Sequence, residues 1–196
     1  MKLSARFTDA LVFATELHAN QTRKGGGVPY IAHLIGVASI ALEHGANEDE
    51  AIAALLHDAI EDQGGAATRE EIRRRFGDTV TEIVDGCTDT DTTTPKPPWR
   101  QRKEAYIARL PNESTSVHLV SAADKLYNSR SILTDYRLIG DAVWERFHGG
   151  KTGTLWYYRA MVEAFRAIES TPLVDELERV VNELEILVGI AKNYPR

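Results

Sequence analysis

The adjacent pair His57 and Asp58 is the part of this sequence best suited to chemistry. His33 precedes the pair and Asp124 follows it, so the chain offers two imidazoles and two carboxylates. A set of nitrogen and oxygen donors of this kind binds one divalent metal, and these donors suit manganese, iron, zinc and magnesium in that order of preference. We therefore predict that these four residues are metal ligands.

A second acidic pair, Glu61 and Asp62, follows the first pair closely. Apolar residues recur at helical spacing in this segment, so we predict one helix over residues 48–62. At about 100° per residue, Glu61 then lies above His57 and Asp62 above Asp58. Acids on such an apolar helix are costly to bury without a cation, which again indicates a metal site.

The elements that must position these residues are all helical, because nearly every periodic segment has the period of an α-helix and none alternates like a strand. Capping-box spacing at Asn47 and Glu50 and at Thr68 and Glu71 marks two helix starts. Gly45 suits a helix end. We predict an all-α orthogonal bundle of about ten helices, near residues 4–20, 33–44, 48–62, 69–76, 78–87, 99–110, 115–134, 140–148, 153–170 and 172–191.

Two connections differ from the short loops elsewhere. The segment RKGGGVPY, residues 23–30, has three consecutive glycines, so its backbone can approach a ligand closely. The segment TDTDTTTPKPP, residues 88–98, is polar and proline-rich, and we predict a mobile loop. Loops of this kind often carry functional residues.

Composition narrows the possible functions. The 196 residues suit one domain over 1–196, and a net charge of −6 argues against a protein that coats nucleic acid. No apolar run is long enough to span a bilayer, and the N-terminus does not read as a secretory signal, so we expect a cytoplasmic protein. Cys87, the single cysteine, is interpreted as a buried small residue without a role.

The sequence resembles the HD-domain phosphohydrolases, and among them the hydrolase domains of RelA/SpoT-type alarmone enzymes and the stand-alone small alarmone hydrolases. The motifs that carry the resemblance are RKGGGVPYIAH, LLHDAIED, WRQRKEAYIARL and VSAADKLYNSR, within about residues 5–170. The C-terminal helix 172–191 would pack on this part. The resemblance implies a helical bundle, a single metal that is usually manganese, and removal of the 3′-pyrophosphate from ppGpp-like nucleotides.

The resemblance also implies a role for individual residues. It makes His33, His57, Asp58 and Asp124 the metal ligands and gives Glu61 and Asp62 the handling of water and protons. Further residues are implied substrate contacts: Arg23 and Lys24 beside the base, Asn128 and Arg130 after the last ligand, and Lys96 and Lys103 near the pyrophosphate. Arg102 resembles the arginine of a family arginine-lysine pair.

The chain departs from the family pattern at the base-binding end. Family members commonly have a single glycine in the glycine loop and a proline where this chain has Leu34. Ser121 and Lys125 also replace residues that are common in the long enzymes. These departures leave guanine against adenine open, so ppGpp and ppApp are both candidate substrates.

The residues suit attack by a metal-activated water on the phosphoryl group at the 3′-oxygen, with Glu61 or Asp62 moving the proton. We expect a small-molecule nucleotide as partner, with no nucleic acid and no membrane, and leave the oligomeric state open. The alternatives are another HD phosphohydrolase, such as a nucleotidase, an NADPH phosphatase or a cyclic-nucleotide phosphodiesterase, and a non-catalytic nucleotide-binding module. Trp156, Tyr157 and Tyr158 are interpreted as packing residues whose register to the site is open.

Overall fold

The structure, a computed structural model, describes residues 2–89 and 96–189. These residues form ten α-helices and two 3-10 helices, and their only strand-like pairing is an isolated bridge between Thr22 and Pro29. The predicted all-α fold is confirmed. The α-helices are α1 Ala5–Leu17, α2 Ile31–Glu43, α3 Glu48–Leu56, α4 Ala59–Asp62, α5 Ala66–Phe76, α6 Asp78–Cys87, α7 Trp99–Arg109, α8 Thr115–Ile139, α9 Gly150–Ile168 and α10 Pro172–Leu187, and the 3-10 helices are Leu110–Asn112 and Gly140–Arg146.

The long helix α8 is the centre of the bundle. It packs against α2, α3, α6, α9 and α10, and its residues Val120, Ala123 and Leu126 are fully buried in the core. With 25 residues it is about 37 Å long. Because α8 runs through the interior, it carries Asp124 to a position 6% exposed.

The predicted helix over residues 48–62 is wrong in one respect, because the chain turns at His57 and Asp58. Helix α3 ends at Leu56 and α4 begins at Ala59. Nδ1 of His57 lies 2.8 Å from the carbonyl oxygen of Ala54, the group that would accept the N–H of Asp58 in a continuous helix. The side chain thus takes the place of a backbone bond, and the turn points the doublet inward.

Helix starts follow the local sequence in one case and not in the other. Asn47 caps α3 with the predicted capping box, since its side chain accepts the N–H of Glu50 at 3.0 Å and Glu50 accepts the N–H of Asn47 at 2.7 Å. The second predicted box is wrong. Helix α5 begins two residues before Thr68, whose hydroxyl instead donates to the carbonyl of Gln63.

Several predicted boundaries shift. The segment near 140–148 is a 3-10 helix rather than an α-helix, and α8 continues five residues past the predicted end at 134. Of the proline-rich loop 88–98, residues 90–95 lie outside the described residues, as do residues 190 and 191 of the predicted last helix. No helix in the described ranges has the length and apolar character that crossing a bilayer requires.

Candidate active site

The four predicted metal ligands meet at one point between α2, α8 and the turn that joins α3 to α4. Nε2 of His33 lies 3.3 Å from Nε2 of His57 and 3.4 Å from Oδ2 of Asp58. Nε2 of His57 lies 3.0 Å from the same oxygen of Asp58. Oδ1 of Asp124 lies 3.3 Å and 3.5 Å from the two imidazole nitrogens. Both histidines are buried, with exposures of 1% and 3%.

These spacings fit a shared divalent metal. Donors that bind one ion at about 2.1 Å lie about 3.0 Å apart at right angles and about 3.4 Å apart at tetrahedral angles. His33, His57 and Asp58 form a mutually close group of potential ligands, and Asp124 adds a carboxylate oxygen next to both imidazoles. Nδ1 of His57 faces the Ala54 carbonyl, so Nε2 is the nitrogen that would bind a metal.

Neighbouring side chains hold the carboxylates of Asp58 and Asp124 in place. The hydroxyl of Tyr30 donates to Oδ2 of Asp58 at 2.6 Å, and the amide of Asn128 donates to Oδ1 of Asp124 at 2.5 Å. Lys125 forms an ion pair with the other oxygen of Asp124. Although burial raises the pKa of Asp124, Lys125 and the histidines hold it well below its usual value. Burial also raises the pKa of Asp58, but His57 and His33 hold it well below its usual value, so both carboxylates are ionised, as a metal site requires.

Glu61 and Asp62 lie beside the ligands in a different electrostatic setting. Burial raises the pKa of Glu61, and the neighbouring carboxylate of Asp89 raises it further. Burial also raises the pKa of Asp62, with a further contribution from Asp58. Oε1 of Glu61 is 3.2 Å from Nζ of Lys96, so this acid sits next to a cation. Carboxyl groups with raised pKa values can exchange protons nearer to neutral pH.

Asp89 organises the basic residues of this region, and the sequence analysis did not identify it. Its side chain is 5% exposed and accepts hydrogen bonds from Arg102 at 2.7 and 2.9 Å. It also accepts one from Lys103 at 2.5 Å. The buried carboxylate of Asp89 thus holds Arg102 and Lys103 beside Glu61.

A cavity of about 530 Å³ opens in front of these groups, a volume suited to a nucleotide-sized ligand. Ligand residues His57, Asp58 and Asp124 lie at its wall together with Glu61 and Asp62. Aromatic side chains and basic side chains share the rest of the lining. They include Tyr30, Trp99, Tyr106, Tyr127, Tyr157, Tyr158, Arg23, Lys24, Arg102, Lys103, Lys125 and Arg146.

Most of the predicted substrate contacts reach this cavity. Arg23, Lys24, Asn128 and Lys103 line it, and the guanidinium of Arg23 donates to Oδ1 of Asn128 at 2.8 Å. Lys96 approaches through its ion pair with Glu61. The predicted contacts therefore divide into a group beside Asn128 and a group beside Glu61.

The predicted place of Arg130 in the substrate site is wrong. Six residues along a helix turn the side chain by about 240°, so Arg130 leaves the face of α8 that carries Asp124. Its guanidinium lies 2.9 Å from Glu176 of α10. Arg130 therefore lies outside the cavity wall.

Other residues of the cavity wall belong to recognisable sequence segments but were not among the predicted site residues. Tyr30 closes the glycine-loop motif, and Tyr157 and Tyr158 belong to the aromatic segment whose register was left open. Arg146 belongs to no such segment, and the fold brings it there. Cys87 also lines the cavity, but burial raises its pKa to about 12, so the thiol stays protonated and a poor nucleophile.

Comparisons with known proteins show the family of the chain. The family model described as HD domain matches residues 10–154. The chain is 42% identical over 132 residues to the guanosine-3′,5′-bis(diphosphate) 3′-pyrophosphohydrolase MESH1 of Xenopus tropicalis, covering 66% of this chain and 70% of that protein. It is 34% identical over 133 residues to the bifunctional (p)ppGpp synthase/hydrolase SpoT of Escherichia coli K12, covering 65% of this chain and 18% of that protein.

The fold of a solved structure is similar over almost the whole chain. That structure, of a metazoan ortholog of SpoT that hydrolyzes ppGpp and plays a role in starvation responses, superposes with a TM-score of 0.76. The sequence identity is 25%, and the alignment covers 97% of this chain and 99% of the other. The relation thus extends past the matched family segment into α9 and α10.

Proposed function

The chain belongs to the HD-domain family, and on that premise we propose that it is a metal-dependent hydrolase that removes the 3′-pyrophosphate from guanosine alarmones such as ppGpp. The resemblance to RelA/SpoT-type hydrolase domains is confirmed by the similar proteins. The expected products are the nucleoside 5′-diphosphate and pyrophosphate. The expected cytoplasmic location and the absence of nucleic-acid and membrane partners stay predictions.

One arrangement supports the proposal: the four predicted metal-binding donors lie 3.0–3.5 Å apart in the measured pairs, and three of them, His57, Asp58 and Asp124, line the same cavity as two acids of raised pKa and a group of basic side chains. Hydrolysis of a phosphate ester at a metal requires these three groups together. A module that only binds nucleotides has no need of the acidic pair.

The metal would be held by His33, His57, Asp58 and Asp124, and we propose manganese as the natural ion because mixed imidazole and carboxylate donors suit it. When bound, a divalent ion lowers the pKa of a coordinated water and draws charge from a phosphoryl oxygen. Tyr30 and Asn128 orient the carboxylates Asp58 and Asp124 toward it.

The protein's own acids would move the protons. We assign to Glu61 or Asp62 the acceptance of the proton from the attacking water and its delivery to the leaving 3′-oxygen. Glu61 is the better placed for exchange at the pyrophosphate, because Lys96 and Arg102 lie 3.2 and 3.7 Å from its carboxylate. These two cations and Lys103 would offset the negative charge that develops on the phosphoryl oxygens.

The nucleoside would lie at the other side of the metal ligands, against Arg23. The Arg23 guanidinium is 5.7 Å from the ring centre of Tyr127. A planar base could stack on either of these two flat groups. The relatives are named for guanosine nucleotides, and we propose guanine as the preferred base. Adenine stays an outcome of the test, because the glycine loop is longer here.

A turnover panel tests the proposal. The manganese-loaded protein is supplied with ppGpp, ppApp, NADPH, a cyclic nucleotide and nucleoside 5′-monophosphates, and the products are separated by chromatography. Pyrophosphate with GDP from ppGpp is the expected result. Efficient hydrolysis of a monophosphate, of NADPH or of a cyclic nucleotide without pyrophosphate from either alarmone would assign the chain to another HD phosphohydrolase. Binding without turnover would indicate a non-catalytic module.

A further inference from the structure

One face of α8 forms a wall of the cavity along its length. Asp124, Asn128, Ser131 and Asp135 are spaced four, three and four residues apart, which places them on one helical stripe, and all four line the cavity. Eleven residues of helix measure about 16 Å along the axis. The cavity therefore runs from the metal ligands to a distal end at Asp135.

Arg146 defines this distal end. It is the last residue of the 3-10 helix Gly140–Arg146, and its Nη1 donates to Oδ2 of Asp135 at 2.7 Å. Its side chain is 21% exposed and lines the cavity. Asp135 binds one nitrogen of the guanidinium, and a guanidinium has five N–H groups in a planar fork. Other N–H groups thus stay available to an anion in the cavity.

The glycine loop is shaped around Arg146. A Cβ atom on Gly25 would lie 2.1 Å from Nε of Arg146, and the φ of Gly25 is +78°, a value that side chains other than hydrogen rarely adopt. Only glycine lets the loop backbone lie this close to the arginine. The contact holds the glycine loop, which also carries Lys24, against Arg146.

Near Asp135 the cavity wall carries Arg146, and Lys24 lines the same cavity from the glycine loop that Arg146 contacts. Arg23 is already bonded to Asn128, on the side nearer the metal. Arg146 is therefore the guanidinium best placed to meet a second anionic group on a ligand whose first anionic group is at the metal.

We propose that Arg146 binds the 5′-phosphates of the substrate while the 3′-pyrophosphate occupies the metal end. This inference rests on the proposed function and adds to it the residue of this chain that recognises the 5′-phosphates. Charge-assisted hydrogen bonds from an arginine fork are suited to a terminal phosphate.

The first experiment measures binding by calorimetry with the manganese-loaded full chain. The probes are guanosine 3′,5′-bisphosphate and guanosine 3′-monophosphate, which differ only in the 5′-phosphate. We expect the wild type to bind the bisphosphate about 10- to 100-fold more tightly, the range for hydrogen bonds to a charged group. Arg146→Gln should lose most of this preference, and Arg146→Lys should retain part of it.

The matched control is Arg137→Gln, which removes an exposed arginine of α8 that pairs with Glu183 on the surface. It should keep the wild-type preference. Gly25→Ala should act like Arg146→Gln, since the new methyl group displaces the arginine. Thermal melting of each variant shows whether it is folded. If Arg146→Gln does not fold, Arg146→Lys takes its place in the comparison.

The second experiment compares KM for ppGpp with KM for guanosine 3′-diphosphate, which lacks 5′-phosphates. Arg146→Gln should raise only the first. The inference would be overturned if Arg146→Gln weakened ppGpp and guanosine 3′-diphosphate equally, or if the wild type did not prefer the ligand with 5′-phosphates. Arg146 would then serve only to join the 3-10 helix to Asp135. If the binding preference depends on Arg146 but ppGpp yields no pyrophosphate, the proposed function fails while the phosphate subsite stands.

Discussion

The hydroxyl of Tyr30 donates a 2.6 Å hydrogen bond to Oδ2 of Asp58, an oxygen that lies 3.4 Å from Nε2 of His33 and 3.0 Å from Nε2 of His57. Burial raises the pKa of Tyr30 far above its usual value, and Asp58 raises it further, so the tyrosine remains a donor at every physiological pH. The glycine-loop segment and the HD doublet are thereby linked by one bond that orients a metal ligand.

Removing that hydroxyl should weaken metal binding. We expect Tyr30→Phe to lower the affinity for manganese by about 10-fold or more, because partners that orient a ligand typically contribute this much. Titration of the metal-stripped protein with manganese measures the change. Tyr136→Phe, a half-buried tyrosine that packs on Trp144, serves as the control and should bind as the wild type does. Unchanged affinity in Tyr30→Phe would show that the bond does not support the site.

The acidic pair should act on turnover more than on metal retention. Glu61→Gln or Asp62→Asn should lower kcat by about 10²–10⁴, the usual contribution of a general acid or base. The metal content should be preserved, since neither carboxylate belongs to the four donors. In Asp124→Asn, by contrast, metal content should fall. A variant of the pair that empties the metal site but has normal turnover per bound metal would contradict the assignment.

The pH dependence of kcat should report the contact between Glu61 and Asp89. Burial and Asp89 raise the pKa of Glu61, so its ionised form appears only at higher pH. Asp89→Asn removes this negative neighbour of Glu61 and so lowers that pKa. We therefore expect the acidic limb of the profile to move to lower pH.

The control for this profile is Asp85→Asn, which alters a carboxylate of α6 that pairs with Arg69 outside the cavity wall. Its acidic limb should coincide with that of the wild type. An acidic limb of Asp89→Asn that stays in place or moves to higher pH would mean that another group controls the protonation step.

Lys24 should affect the substrate more than the chemistry. It lines the cavity on the glycine loop. Lys24→Ala should raise KM for ppGpp by about tenfold or alter the guanine-to-adenine ratio, with a smaller effect on kcat than the acidic pair shows. Steady-state kinetics on ppGpp and ppApp separates the two constants. A loss confined to kcat would place Lys24 in the chemical step.

The sequence predicts those parts of the structure that depend on contacts between residues close together in the chain. Helix periodicity and the Asn47 box are local signals, and they predict α3 and its start correctly. The turn at His57 and Asp58 depends on a hydrogen bond between the His57 side chain and the Ala54 carbonyl. The periodicity of apolar residues does not predict such a bond. A residue count from Asp124 gave Asn128 its correct face, and the same count would have excluded Arg130.

Residues that come from distant segments could not be predicted in this way. Asp89 lies beside Glu61 only because α6 packs on α3 and α4, and its role depends on pairing with Arg102 from α7. Arg146 reaches the glycine loop because the 3-10 helix folds back along α8. Neither contact leaves a pattern in the local sequence, since each joins segments that are far apart in the chain.

Pyrophosphate release from ppGpp as a function of bound metal tests whether the protein is a metal-dependent alarmone hydrolase. Metal-stripped protein is titrated with manganese, and bound metal, GDP and pyrophosphate are measured in the same samples. We expect no release without metal, a linear rise up to one ion per chain, and GDP and pyrophosphate in equal amounts. Full release from metal-free protein, or inorganic phosphate in place of pyrophosphate, would contradict this expectation.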